Sequence, residues 1–241
     1  MHLSTLLLIA LPALIICKDP IDQVAKQGAE IISSSRLTGQ TVRQCSCHEQ
    51  RECVEDMKKQ AKECVPACFQ RFSTITDRPD DLRKCFEQKD DIVQNFMTCI
   101  EDKVEGCVDH DHGNQIDKTD ISALFTIGEK KLTHHSATMD AIIAPIRNVI
   151  DAAGEFALCV KDCFLKKNEN GFCFDRKNCQ PLILENKAKN SFRTCTKKVN
   201  WKREAGELCE CSVEAGVTVL RQYCSMFSLM GRRRGSQSNR G

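Results

Sequence analysis

Residues 45–68 read CSCHEQRECVEDMKKQAKECVPAC, placing five cysteines in a stretch otherwise rich in residues that favour helix. Cys53, Cys64 and Cys68 follow one another at steps of eleven and four residues. Both steps return a side chain to nearly the same side of an α-helix, which turns by about 100° per residue. We therefore predict a helix over residues 49–72 with these three cysteines in one stripe.

Sixteen cysteines form two blocks of eight, at 45–107 and 159–224, with 51 cysteine-free residues between them. An even number of cysteines behind a secretory signal is typical of a disulfide framework formed in an oxidising compartment. The predicted disulfide cysteines are Cys45, Cys47, Cys53, Cys64, Cys68, Cys85, Cys99, Cys107, Cys159, Cys163, Cys173, Cys179, Cys195, Cys209, Cys211 and Cys224.

The N-terminus has the pattern of a signal peptide, predicted over residues 1–17. Its apolar stretch, residues 6–16, is eleven residues long, whereas a membrane span needs roughly 20. Cleavage before Lys18 would remove Cys17, the odd cysteine. Retention of Cys17 as a lipid-modified N-terminus is the alternative, although the preceding residues lack the small side chains of a bacterial lipoprotein signal. We expect a secreted, extracellular protein with no membrane insertion.

The composition favours an all-α, disulfide-rich bundle built from helical hairpins. Charged residues make up 28% of the chain and aromatic residues only 5%, so the core must rest on Leu, Ile, Val, Phe and Cys. We predict one secreted Cys-rich helical domain over residues 18–230. Residues 231–241 form a basic tail without an apolar side chain, and such a segment is expected to be disordered.

The order of helices suggests how the cysteines pair. Further helices are predicted over residues 21–37, 79–106, 120–132 and 138–167, the last bent near Pro145, with a turn at 38–48 and a loop at 108–119. If the helices over 49–72 and 79–106 form an antiparallel hairpin, facing residues have a constant index sum. Three pairs then agree within one residue: Cys53–Cys99, Cys68–Cys85 and Cys45–Cys107.

Other pairings within the blocks remain open. Cys47 and Cys64 can each replace a neighbour in this scheme, and Cys173 with Cys179 is expected to close the loop over residues 168–178. The sequence Cys64-Val-Pro-Ala-Cys68-Phe69 is also similar to Cys159-Val-Lys-Asp-Cys163-Phe164. This similarity suggests that the blocks are distant repeats of one helical hairpin.

Charge is distributed unevenly along the chain. Residues 18–158 hold 18 basic and 25 acidic residues, a balance of −7, whereas residues 159–241 hold 17 and 8, a balance of +9. Such asymmetry favours an anionic partner. The candidate glycan-binding residues are Lys197, Lys198, Lys202 and Arg203. If this stretch is one helix, Lys198 and Lys202 share a face, and Arg232, Arg233 and Arg234 supply a second contact. The alternative is that these basic residues only solvate helix surfaces.

No motif predicts a catalytic site, metal site or cofactor. His110, Asp111, His112, His134 and His135 lack a fixed ligand spacing, and the loop from Asp109 departs from a calcium loop at its fifth and sixth positions. Near His48, the nearby cysteines favour disulfides over zinc in a secreted chain. We predict a protein that is not an enzyme and binds no nucleic acid.

Six stretches taken together resemble a known family. They are Cys45-Ser-Cys47, Cys53-Val-Glu-Asp-Met-Lys, Cys64-x-x-x-Cys68-Phe69, Leu82-Arg-Lys-Cys85-Phe86, Phe172-Cys173-Phe174 with Cys179-Gln180-Pro181, and Trp201-Lys-Arg-Glu-Ala-Gly-Glu-Leu-Cys209-Glu-Cys211. Over residues 40–227 the chain resembles the secreted nematode domain named after chondroitin proteoglycan 4. The resemblance implies a matrix or eggshell-associated protein that can carry chondroitin on serine. This chain departs from that pattern because it contains no Ser-Gly dipeptide.

These observations favour a non-enzymatic extracellular protein, either structural or associated with matrix components such as sulfated glycosaminoglycans. The alternative is a secreted ligand-binding or receptor-directed factor. A hydrolase is the third and most distant hypothesis.

Overall fold

The computed structural model describes residues 20–104, 106–132 and 144–225. The predicted signal peptide, Cys17, His134, His135 and the basic tail lie outside these residues. The described part is mostly helical and carries eight disulfides, which confirms the predicted fold class. No helix within it is both long and apolar enough to cross a membrane.

The described elements follow one another as helices joined by short loops. The helices are α1 (Pro20–Ser34), α2 (Cys47–Cys68), α3 (Pro79–Glu87), α4 (Asp90–Val104), α5 (Ile121–Leu132), α6 (Arg147–Lys167), α7 (Cys173–Arg176), α8 (Glu185–Lys198) and α9 (Trp201–Glu214). Short 3₁₀ turns lie at Phe69–Thr74, Ala144–Ile146 and Thr218–Leu220, and residues 221–225 are again helical. The strands are β1 (Arg36–Gln44), β2 (Gln115–Thr119) and β3 (Cys179–Gln180).

Helix α2 shows why the sequence folds locally as predicted. Ser46 caps its start: the backbone N–H of Glu49 donates to the serine hydroxyl, and the backbone N–H of Ser46 donates to the Glu49 carboxylate at 2.9 Å. This reciprocal capping satisfies donors that the first helical turn leaves unpaired. Along the helix, Cys53, Cys64 and Cys68 are all buried, so the predicted cysteine stripe is confirmed.

Several local predictions were wrong, among them the loop over residues 108–119, whose end forms β2. The helix predicted over residues 79–106 is two helices, because the chain turns at residues 88–89 between α3 and α4. The first helix ends at Ser34, and the predicted turn at 38–48 contains β1 instead. This strand pairs antiparallel with β2 and parallel with β3, so it is stabilised by partners about 75 and 135 residues away that local patterning does not reveal.

The disulfide pairing differs most from the sequence prediction. All sixteen described cysteines are bonded, as Cys45–Cys179, Cys47–Cys107, Cys53–Cys173, Cys64–Cys163, Cys68–Cys159, Cys85–Cys211, Cys99–Cys195 and Cys209–Cys224. Six of these bonds join the first block to the second. The predicted pairs Cys53–Cys99, Cys68–Cys85 and Cys45–Cys107 and the local Cys173–Cys179 bond were therefore wrong, whereas Cys47 did replace its neighbour as the partner of Cys107.

The physical reason is that the buried face of α2 packs against α6, not against the helix that follows it. Antiparallel geometry governs the two bonds between α2 and α6, because Cys64–Cys163 and Cys68–Cys159 have the same index sum. Cys45–Cys179, in contrast, lies beside the parallel pairing of β1 with β3. Helix α4 lies along another side of α2, joined to it by the ion pairs Lys58–Glu101 at 2.7 Å and Lys62–Asp90 at 3.6 Å.

The two similar cysteine motifs bond directly to each other. The first cysteine of each motif bonds the second cysteine of the other, giving Cys64–Cys163 and Cys68–Cys159. Reciprocal bonding of this kind is what two antiparallel copies of one motif produce. The phenylalanine that ends each motif then enters a different part of the core, Phe69 in one cluster and Phe164 in the other.

Phenylalanine rings and disulfides fill both core clusters. One gathers Phe164, Phe172 and Phe174 around the Cys45 and Cys53 bonds. In the other, Phe69, Phe72 and Phe156 pack with ring centroids 5.0 to 5.3 Å apart, a spacing that is favourable for tilted aromatic pairs. Phenylalanine and disulfide-bonded cysteine therefore make up much of the two core clusters.

Gly113 is required where the loop before β2 crosses β1. A Cβ at this position would lie 2.1 Å from the carbonyl oxygen of Gln44, and Gln44 is held there because its N–H donates to the carbonyl of Asn114 at 2.8 Å. We expect Gly113→Ala to lower the free energy of unfolding by roughly 2–3 kcal/mol, measured by thermal denaturation. Gly154→Ala is the control, because its Cβ would contact nothing within 4 Å. Equal melting temperatures for both variants would contradict this prediction.

Candidate functional site

The four predicted glycan-binding residues lie at a corner between two helices. Lys197 and Lys198 are in the last turn of α8, and Lys202 and Arg203 are in the first turn of α9. The helices separate because Val199 is extended and the side chain of Asn200 caps α9, accepting from the N–H of Arg203 at 3.3 Å. The prediction that Lys198 and Lys202 share one helix face was therefore wrong, although only residues 199–200 separate the two helix ends.

Three of these residues are available to a partner. The side chains of Lys197, Lys198 and Lys202 are exposed, and none makes a hydrogen bond or ion pair with the part of the chain that the structure describes. Lys197 and Lys198 also lie at the negative end of the α8 dipole, which stabilises cations there. We call Lys197, Lys198 and Lys202 the lysine corner.

Arg203 is different, because carboxylates already bind it. Its guanidinium lies 2.6 Å from Glu204 and 3.6 Å from Glu207, and the hydrogen bond to Glu204 raises the pKa of Arg203. Glu204 also accepts from Lys89 at 2.8 Å. Hydrogen bonds from Lys89 and then Arg203 lower the pKa of Glu204 against the opposing effect of burial. Arg203 therefore contributes little free charge to the corner.

Trp201 is the residue at this corner that sequence reasoning did not assign. Its indole N–H donates to the carbonyl of Thr196 at 2.9 Å. Its ring packs edge-to-face against Phe96, with ring centroids 5.6 Å apart and an interplanar angle of 81°. Phe96 in turn packs edge-to-face against Phe192, with centroids 5.8 Å apart and an interplanar angle of 88°. The tryptophan is thus held by α4 and α8 yet remains 40% exposed. The available signal was the lone tryptophan of the chain lying between Lys198 and Lys202.

Part of the charge asymmetry between the halves is used inside the molecule. Acidic residues of α2 pair with basic residues of the second half, in Glu52–Lys177, Asp56–Arg176 and Glu63–Lys167, at 2.7 to 3.1 Å. Two further basic residues of the second half pair with acidic residues of the first half, Arg193 with Asp22 and Lys161 with Glu129. The uneven charge of the sequence therefore reflects packing between the halves as well as free basic surface.

The described residues offer one group with the spacing of metal ligands, Cys45, Glu49 and Cys179. The two sulfurs are bonded to each other at 2.04 Å and are not thiolates. Glu49 is held by Arg43 at 2.7 Å, and this hydrogen bond, together with those from Ser46, lowers the pKa of Glu49 to about 2. This group is structural. His110 and His112 are exposed in the loop before β2 and do not join such a group within the described residues.

A groove of about 390 Å³ lies between α2 and α4. It is lined by charged and polar side chains, among which Glu55 pairs with Lys58 and Glu63 with Lys167. Carboxylates held by lysines in this way are poorly placed for acid–base chemistry. The groove is lined by Glu55, Lys58, Lys59, Lys62, Glu63 and Gln94.

The geometry points to a surface rather than a cleft as the candidate site. An exposed tryptophan and three lysines without ion pairs to the described residues occupy one helix corner of a disulfide-rich molecule. Comparison of the chain with protein-family models, with curated proteins and with solved structures finds no match.

Proposed function

We propose that this is a non-enzymatic extracellular protein that associates with sulfated glycosaminoglycans of the matrix through the lysine corner. The observation that carries the proposal is the exposure of three lysines, without ion pairs to the described residues, on two adjoining helix ends. The eight disulfides suit an oxidising compartment outside the cytosol. The resemblance to the chondroitin proteoglycan 4 domain supports the same setting.

Electrostatic attraction of exposed lysines to a polyanion is sensitive to salt. The Debye length falls from about 30 Å at 0.01 M ionic strength to about 3 Å at 1 M. Three exposed cations therefore attract a sulfated chain strongly only at low salt, and the predicted binding is weak under physiological conditions. A sulfated chain offers several anionic groups to the three lysines, whereas a small isolated anion offers only one.

The purified mature protein is expected to be retained on immobilised chondroitin sulfate at low salt and released as salt rises. Replacing Lys197, Lys198 and Lys202 with alanine should abolish most of this retention, because it removes the three free cations of the corner. Replacing Arg203 alone should change retention little, because Glu204 and Glu207 already neutralise it. Elution salt concentration measures each effect.

A charge-matched control separates this site from a general effect of net charge. Lys59, Lys118 and Lys166 lie on α2, β2 and α6, and their alanine variant loses the same three charges. Its elution should stay near that of the parent protein. Equal loss in both triple variants would show that overall charge, not the corner, drives retention. If the parent protein ignores chondroitin sulfate even at low salt, the receptor-directed alternative replaces the proposal.

A further inference from the structure

We propose that Trp201 is a stacking platform for a sugar ring, so that the corner recognises a glycan chain and not any polyanion. This inference builds on the proposed function and adds the chemical class of ligand. It rests on the position of the only tryptophan of the chain, which is partly exposed and lies between lysines of the corner along the sequence.

The indole ring is held in place before any ligand arrives. Its N–H donates to the carbonyl of Thr196, and its edge-to-face contact with Phe96 is supported from behind by Phe192. A side chain fixed by a hydrogen bond and by ring packing loses little rotamer freedom on binding. The 40% of Trp201 that stays exposed is therefore a preorganised apolar surface.

A pyranose ring matches this surface chemically. The C–H groups on one face of a sugar ring carry partial positive charge and are apolar, and the face of an aromatic ring is electron-rich. Sulfate and carboxylate groups project from the edge of the same ring, and the exposed Lys198 and Lys202, which flank Trp201 in the sequence, supply the opposite charge. A polyanion without sugar rings satisfies the lysines but leaves the indole uncovered.

The single tryptophan makes the test direct, because all indole fluorescence comes from this site. We would titrate the full mature protein at low salt with chondroitin sulfate, with the same chain after desulfation, and with polyvinyl sulfate. The inference predicts a saturable change in emission with both glycans, weaker for the desulfated chain. Polyvinyl sulfate should bind without that change.

Variants then separate stacking from packing. Trp201→Leu should weaken affinity for chondroitin sulfate by about five- to tenfold, and Trp201→Phe by less, since stacked aromatic contacts contribute on this scale. Phe86→Leu is the matched control, because Phe86 is a similarly exposed ring, at 38%, that packs against Phe69 and Phe72 and makes no ring contact with Trp201 among the described residues. Its affinity should remain near that of the parent protein.

The outcomes distinguish this inference from the proposed function. Retention on chondroitin sulfate without any emission change, or an equal change with polyvinyl sulfate, overturns the stacking role and leaves the proposed function standing. If the desulfated chain changes the emission and sulfation of the chain does not increase the affinity, stacking is supported and the proposed function is overturned. If neither glycan changes the emission of Trp201, the inference is overturned.

Discussion

A protease cut between residues 132 and 144 is expected to leave the two halves of the chain covalently joined. Six disulfides cross this point, from Cys45–Cys179 to Cys99–Cys195. A variant with a specific protease site inserted there should run as one species without reductant after cleavage. With reductant it should separate into two fragments, which gel electrophoresis or mass spectrometry resolves directly.

This experiment separates the observed bonding from bonding within each block. If the eight cysteines of each block paired only with one another, cleavage alone would release the two halves. A second variant with the same protease site after residue 230 provides the control for cutting, because no cysteine follows Cys224. It should lose its tail whether or not reductant is present.

Reduction of the intact protein is expected to unfold it. The six bonds between blocks link residues 91 to 134 apart in sequence, and a bridge that closes about 100 residues contributes roughly 4–5 kcal/mol in the chain-entropy account. A folded domain has only about 5–15 kcal/mol of total stability. Loss of all eight bridges should therefore exceed what the apolar core supplies, and far-UV circular dichroism at 37 °C should show large loss of helix.

Single bridges provide an internal scale for this effect. Removing Cys209–Cys224, which spans 15 residues, as a double alanine variant should cost about 3 kcal/mol. Removing Cys99–Cys195, which spans 96 residues, should cost about 1–2 kcal/mol more. Ellipticity that survives full reduction would show instead that the phenylalanine clusters hold the fold without the bridges.

Several features of the candidate site could be anticipated from the residues alone. The exposed lysines were found because a charge imbalance and short basic pairs are visible in the sequence. The neutralisation of Arg203 was missed, although its partners Glu204 and Glu207 lie only one and four residues away in the sequence. What required the tertiary structure is the pairing of Lys89 with the same two carboxylates, which forms only when α9 packs beside the α3–α4 corner. The role of Trp201 depends likewise on Phe96, which lies 105 residues earlier in the chain.

The amino-acid sequence by itself indicated the helical fold class, helix α2 and the disulfide-bonded state of the cysteines. Helix α2 follows from spacing, from the Ser46–Glu49 cap and from helix-favouring residues, all of which act within a few residues of each other. An even cysteine count behind a signal-like N-terminus is similarly a property of the chain alone. Neither requires knowledge of which elements become neighbours.

Tertiary structure alone decided which cysteines bond and which strands form. The stripe of Cys53, Cys64 and Cys68 can satisfy antiparallel geometry with either the following helix or α6, and local spacing does not distinguish them. The choice depends on which partner buries the larger apolar face. Helix α4 has no buried residue in its described span, whereas α6 brings Ala152 and Phe164 into the core. Burial of that face selects α6, and the bonds Cys64–Cys163 and Cys68–Cys159 follow from it.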